Sequence, residues 1–220
     1  MVDLKYDHIT RQLDILKPDA LHEQITIVGA GAIGSFTALL LAKSGFQDIT
    51  VYDFDSVSIE NMNNQFYRLK DIGKPKVIAL HELIKDFTDV DIVAAQGKFT
   101  AENMRGLKGT LITAVDSMAV RREILDNFCY SGLRLVIDPR MSAEFLTMQT
   151  YDSTRLQAYE KSLVDDKDAV QEACTAKSTA YTASLAAGYV MKTVKNHVMG
   201  EQVPKTMFWD IKSVSRPAVF

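Results

Sequence analysis

The chain has 220 residues, 47% hydrophobic and 24% charged, which is enough for a sizeable core and ordinary for a soluble globular protein. Its 25 basic and 28 acidic side chains leave a net charge of −3, which argues against a polybasic nucleic-acid binder. Two distant cysteines, Cys129 and Cys174, supply neither a four-cysteine zinc site nor a disulfide framework. No run of about 18 apolar residues is present, so no membrane-spanning helix is expected. The opening ten residues lack the basic-then-apolar pattern of a signal peptide. A cytoplasmic protein is the expectation.

Residues 1–22 read as an N-terminal helical arm ending near Pro18. Gln24 to Val28 is a short apolar run that suits a buried strand. Glycines follow at 29, 31 and 34. Ser35 to Lys43 then reads as a helix, with Phe36, Leu39 and Leu40 on one face and Gly45 as its stop. Ile49 to Asp53 reads as a second buried strand. Strand, glycine-rich turn, helix and strand together open a doubly wound parallel sheet.

The alternation continues. Pro75 to Phe87 predicts a helix and Val90 to Ala95 a strand. Thr110 to Val115 predicts another strand, followed by a helix over Met118 to Phe128. Leu133 to Asp138 closes the parallel part. Glu144 to Tyr151 has a period-2 pattern and predicts an added strand. Residues 152–177 are polar and read as a mobile crossover with some helix. Ser178 to His197 predicts a long helix containing Ala183, Ala186, Ala187 and Gly188. Thr206 to Val214 predicts a final strand around Trp209, and the tail after Pro217 is expected to be loose.

Gly29-Ala-Gly31-Ala32-Ile-Gly34 follows a strand and opens a helix. Glycines there let the backbone approach a phosphate group, and the helix start offers free N–H groups. Asp53, ending the next strand, can accept hydrogen bonds from ribose hydroxyls. This pattern does not separate NAD, FAD, SAM and ATP. The stretch after it is more informative, because it is dense in amides and charge from Asp53 to Lys76. Lys76, opening a helix, suits the neutralisation of a triphosphate. Asp116 ends a strand at the carboxyl edge of the sheet and can hold Mg²⁺, which takes one or two carboxylates plus phosphate oxygens.

At these residues the chain resembles the ThiF/MoeB/HesA/E1-like adenylyltransferase superfamily. The matching residues are Gly29 to Gly34, Asp53 with Asp55, Asn61 to Gln65, Asp71-Ile-Gly73 with Lys76, and Asp116-Ser117. Ile9-Thr-Arg11-Gln12 is similar to the family's Arg-Gln signature. The resemblance covers nearly the whole chain. It implies one adenylation domain over 1–220: an α/β fold with a Rossmann-like, doubly wound, mainly parallel sheet and antiparallel strands added at the C-terminal end.

The resemblance also implies roles. Gly31 and Ala32 approach the nucleotide, Asp53 holds the ribose, and Asn61 and Lys76 contact the triphosphate. Asp116 binds Mg²⁺, and Arg11 reaches the partner's site in a homodimer. The reaction is attack by the C-terminal carboxylate of a ubiquitin-like or sulfur-carrier protein on the α-phosphate of ATP. Adenylation of a small-molecule or tRNA-bound carboxylate is an alternative, although a near-neutral chain suits tRNA poorly.

Two departures stand out. Asn64 occupies the place of the family's arginine in the Asn-x-x-Arg-Gln motif and lacks that charge. Arg68, four residues on, is a candidate substitute. The departure also supports a nucleotide-binding or degenerate scaffold without full catalysis. No Cys-x-x-Cys pair is present, so the zinc of many relatives is not expected. Cys174, before the long helix, lies where some relatives carry a thioester-forming cysteine, with Lys177 or the helix start to lower its pKa. Cys129 is expected to be buried beside Phe128. Arg140 is expected either to face the substrate groove or to form a structural ion pair.

Overall fold

Ile25 to Val28 are all buried and form β1, as a strand must when both faces of its sheet are covered. The computed structural model describes residues 7–163, 179–213 and 217–219. The glycine turn leads from β1 into α1 (Ala32–Lys43), and β2 (Ile49–Asp53) follows. Next come α2 (Lys76–Thr88), β3 (Val93–Gln96), the one-turn α3 (Ala101–Met104) and β4 (Lys108–Thr113). The chain continues through α4 (Met118–Asn127), β5 (Gly132–Ser142), β6 (Phe145–Tyr151) and the short α5 (Leu156–Glu160). It ends with α6 (Ala180–Val198), β7 (Thr206–Asp210) and β8 (Ala218–Val219).

The eight strands form one sheet in the order β3-β2-β1-β4-β5-β6-β7-β8. The pairs from β3 to β5 are parallel and those from β5 to β8 antiparallel. The mixed sheet expected above is therefore present. The order reverses between β1 and β4, and at such a switch point a crevice opens beyond the carboxyl ends of the strands.

Apolar side chains cover both faces. On one, Leu39 and Leu41 of α1, Leu80 and Ile84 of α2, and Val190 and Val194 of α6 share a core. On the other, Leu111, Ile124, Phe128, Val136 and Tyr151 form a second core with α4. Ala183, Ala186 and Ala187 are buried on α6, and their small size lets α6 lie close against α1.

Some expectations change. Within the N-terminal arm the described residues form two 3-10 helices, Asp7–Gln12 and Pro18–His22. The tail after Pro217 is not loose, because Ala218 and Val219 pair with Phe208 and Met207. The last long strand stops at Asp210, after which residues 211–213 turn. Cys129 is exposed, not buried. α4 ends at Asn127, and the 3-10 turn that follows directs Phe128 into the core and the next residues outward. A helix that continued would have kept the apolar spacing; the turn breaks it.

Candidate functional site

The three glycines serve different needs. Gly29 has φ +98°, and a Cβ there would sit 2.4 Å from the carbonyl oxygen of Ala114. A Cβ on Gly34 would meet the Gly29 carbonyl at 1.9 Å. Both glycines therefore let the turn lie against β4 and the start of α1. At Gly31 a Cβ would meet nothing within 4 Å. This glycine opens α1, whose first turn has no side-chain cap. The free N–H groups and the positive end of the helix dipole thus face open space, a suitable seat for an anion.

Asp53 braces this turn. Its Oδ2 accepts from Ala30 N at 2.7 Å and its Oδ1 from Asp55 N at 2.7 Å. Tyr67 Oη donates to the Ala30 carbonyl at 2.7 Å. Burial, then the charges of Asp53, Asp71 and Asp55, push the Tyr67 phenol well above its ordinary value, so it stays a donor. Lys76 is only 7% exposed and donates to Asp55 Oδ2 at 2.9 Å. That partner offsets the cost of burying the ammonium.

The amide-rich stretch folds back over α1. Asn61 Oδ1 accepts from Ser58 N at 3.0 Å, and Phe66 N donates to Ser35 Oγ at 3.0 Å. Asn64 Oδ1 and Gln65 Oε1 are buried with no hydrogen-bond partner among the described residues. Such orphans are costly, and they mark a place where a bound group can satisfy them. Arg68, the candidate substitute for the family's arginine, is engaged by carboxylates in this structure. Its guanidinium is held by Asp71 and Asp86 at 2.8 Å each and by Glu82 at 3.5 Å. Asp71 is fully buried. Burial raises its carboxyl, but hydrogen bonds and charge from Arg68, with Lys74, outweigh this and hold it below the usual carboxylate value.

Beyond β4, Ser117 Oγ accepts from Val120 N at 3.3 Å and caps α4. Asp116 is exposed, and its carboxylate has no hydrogen bond or ion pair among the described residues. A free carboxylate at the switch point fits a magnesium ion that also takes phosphate oxygens. Among the described residues no group of three or more His, Cys, Asp or Glu converges as a metal centre. Arg140 forms an ion pair with Asp138 at 2.7 Å, so the structural alternative holds.

The chain thus gathers Gly29, Gly31, Ala32, Gly34, Asp53, Asp55, Asn61, Asn64, Lys76, Asp116 and Ser117 about the carboxyl ends of β1, β2 and β4 and the segment packed over α1. Arg11 lies elsewhere. It is exposed, and its neighbour Gln12 donates to the carbonyl of Ser44, past the far end of α1, at 2.6 Å. Twelve helical residues separate the two ends by about 18 Å. Cys174 and Lys177 lie outside the described residues. Tyr67 was not legible as a site residue: an aromatic carries no spacing signal of its own.

The ThiF family model matches residues 15–219. The chain is 38% identical over 87 residues to tRNA threonylcarbamoyladenosine dehydratase 1 of Saccharomyces cerevisiae, covering 39% of this chain and 20% of that protein. It is 38% identical over 72 residues to the NEDD8-activating enzyme E1 catalytic subunit of Arabidopsis thaliana, covering 32% and 16%. The chain thus matches a fifth or less of the length of these two relatives. In fold it is similar to PaaA, with a TM-score of 0.77 at 18% identity, over 100% of this chain and 74% of that one. It is also similar in fold to E. coli MccB solved with ATP, with a TM-score of 0.72 at 12% identity, over 100% and 72%. The corresponding figures for MccB with AMPCPP and MccA are 0.75, 13%, 100% and 71%.

Proposed function

The chain belongs to the ThiF family, and from that premise we propose that it is an ATP-dependent, E1-like adenylyltransferase acting as one domain. The substrate is the C-terminal carboxylate of a ubiquitin-like or sulfur-carrier protein ending in glycine. The observation that carries this reading is an uncapped helix start at Gly31, a buried ammonium at Lys76 and, at Asp116, a carboxylate unpaired among the described residues, all near one switch point. The NEDD8-activating relative and the MccB structures with ATP and AMPCPP support the same reading.

ATP supplies the α-phosphorus that the substrate carboxylate attacks, with pyrophosphate leaving. The chain's residues bind and orient. The α1 start and Lys76 neutralise phosphate charge, and Asp116 would hold Mg²⁺. Asp53 keeps the glycine turn in shape through Ala30 N, and its remaining lone pairs can accept from ribose hydroxyls. Asn64 and Gln65 carry orphan acceptors for donors on the bound reactants. No protein nucleophile is needed for this step; positioning and charge stabilisation suffice.

The reading includes a homodimer, because Arg11 lies at the far end of α1 from its own glycine turn. It includes a cytoplasmic setting, and no described helix is long and apolar enough to cross a membrane. It also includes attack by the Cys174 thiolate on the acyl carbon of the adenylate, which forms a thioester and releases AMP. A thiol-sensitive adduct that forms in wild type and vanishes in Cys174→Ala checks that step.

Carrier-dependent exchange of labelled pyrophosphate into ATP tests the main reaction. Exchange that requires the carrier and is lost in Asp116→Ala supports it. ATP binding with no exchange for any carrier tested would instead favour the scaffold reading that Asn64 motivates. Exchange driven by tRNA would favour a tRNA-bound carboxylate, to which the yeast dehydratase relative points.

A further inference from the structure

Asp138 is fully buried at the carboxyl end of the parallel part of β5. A buried carboxylate is tolerated only when paired and hydrogen-bonded, and this one has three partners. Arg121 Nε donates to Oδ1 at 2.8 Å. Arg140 Nε donates to Oδ2 at 2.8 Å, and Tyr159 Oη donates to the same oxygen at 2.8 Å. The phenol is pushed strongly upward, first by burial and then by Asp138, so it remains a donor.

The two arginines each have donors left over. Arg121 Nη1 donates to the Asp116 carbonyl at 3.2 Å and Nη2 to the Val115 carbonyl at 2.5 Å. Arg140 Nη1 donates to the Ser162 carbonyl at 3.1 Å and Nη2 to Ser162 Oγ at 3.4 Å. Tyr159 stacks on buried Tyr151, with ring centroids 4.1 Å apart. One carboxylate therefore sits in an unbroken chain of bonds from the loop after β4 to the turn after α5.

We propose that Asp138 is a positioning residue for the nucleotide site, tying the backbone that carries Asp116 to the backbone at Ser162 through its two arginines. The guanidiniums are planar forks, and each grips the carboxylate and a main-chain carbonyl together. A lysine in place of either would reach only one of them. The Asp116 carboxylate stays free for its ligand because its own carbonyl, not its side chain, takes the restraint. The inference rests on the nucleotide reading only for what Asp116 binds.

The test has two parts. Amide hydrogen exchange, without nucleotide, compares wild type with Asp138→Asn and Arg140→Gln. Arg140→Gln leaves the Arg121–Asp138 pair intact and neutral, so it keeps the test decisive if Asp138→Asn does not fold. Coupling predicts exchange faster by about tenfold at both 115–118 and 160–163 in each folded variant, with β1 unchanged. Calorimetry then measures ATP affinity with and without Mg²⁺. The Mg²⁺-dependent gain should fall about fivefold or more in Arg140→Gln, while affinity without Mg²⁺ stays at the wild-type value.

Loosening confined to 160–163 in Arg140→Gln, or an unchanged Mg²⁺ gain beside wild-type binding, overturns the proposal. If wild type binds no Mg-ATP while exchange changes at both segments, the nucleotide reading fails and the Asp138 link between the two segments stands.

Discussion

Lys76 and Asp55 are joined twice. The ammonium donates to Asp55 Oδ2 and the Lys76 N–H to the Asp55 carbonyl, both at 2.9 Å. The lysine side chain is buried while the carboxylate is half exposed. Asp55 thus keeps a desolvated cation at the mouth of the site. Lys76→Met should weaken Mg-ATP binding by about tenfold to a hundredfold, the range for a lost charge-assisted hydrogen bond. Asp55→Asn should lower thermal stability, since it strands a buried ammonium, yet tighten Mg-ATP by removing a competitor. Calorimetry and thermal melts read both.

The glycines should separate by what a methyl group would strike. Gly34→Ala places a Cβ on a backbone carbonyl and should cost about 3 kcal/mol or more. Gly31→Ala meets no atom and should cost under about 1 kcal/mol. It should nevertheless weaken ATP binding at least tenfold, because the methyl fills the space over the helix start. Denaturant unfolding and nucleotide titration on the two variants check the split.

Arg68 should behave as a structural residue. Arg68→Ala leaves the buried Asp71 carboxylate with the backbone N–H of residue 68 at 3.1 Å and Lys74 at 3.6 Å. A loss of about 2–4 kcal/mol in unfolding free energy is expected, near the range for a broken buried pair. ATP affinity, measured below the melting transition, should stay within about twofold of wild type. A tenfold loss would return Arg68 to the phosphate site.

Stability should fall on mild acidification through His197. Its Nε2 lies 3.8 Å from Glu23 Oε1 near the end of α6. Burial lowers its pKa from 6.5, while Glu23 pulls the other way and Arg134 adds to the lowering. The neutral ring is therefore favoured in the folded chain. That stabilisation is complete above about pH 6.5, the unfolded value, and is lost as pH falls through the lower folded value. Urea midpoints should drop over this window, and His197→Gln should flatten the drop.

Much of the fold was legible because its signals are local. β1, the glycine turn, α1 and β2 follow from short apolar runs and three glycines. The antiparallel strand at 145–151 also shows its period. The short α3 does not, because one turn of helix is shorter than the apolar repeat that would reveal it, and the bounds of α5 within the crossover were hidden for the same reason. The partners of Arg68 were equally hidden. Asp71 is close in sequence, but Glu82 and Asp86 meet Arg68 only after α2 folds back beside it.

The residue order alone established a doubly wound sheet and the chemistry crowded between Asp53 and Lys76, since backbone turns and helix starts depend on neighbours within a few positions. Three outcomes waited for the folded chain. Cys129 faces solvent because a 3-10 turn replaces the last turn of α4. Arg11 stands apart from its own glycine turn because the length of α1 lies between them. Asp138 gathers Arg121, Arg140 and Tyr159 because β5, α4 and α5 converge at one end of the sheet. Burial and charge pairing are settled by contacts across space, and no spacing along the chain encodes them.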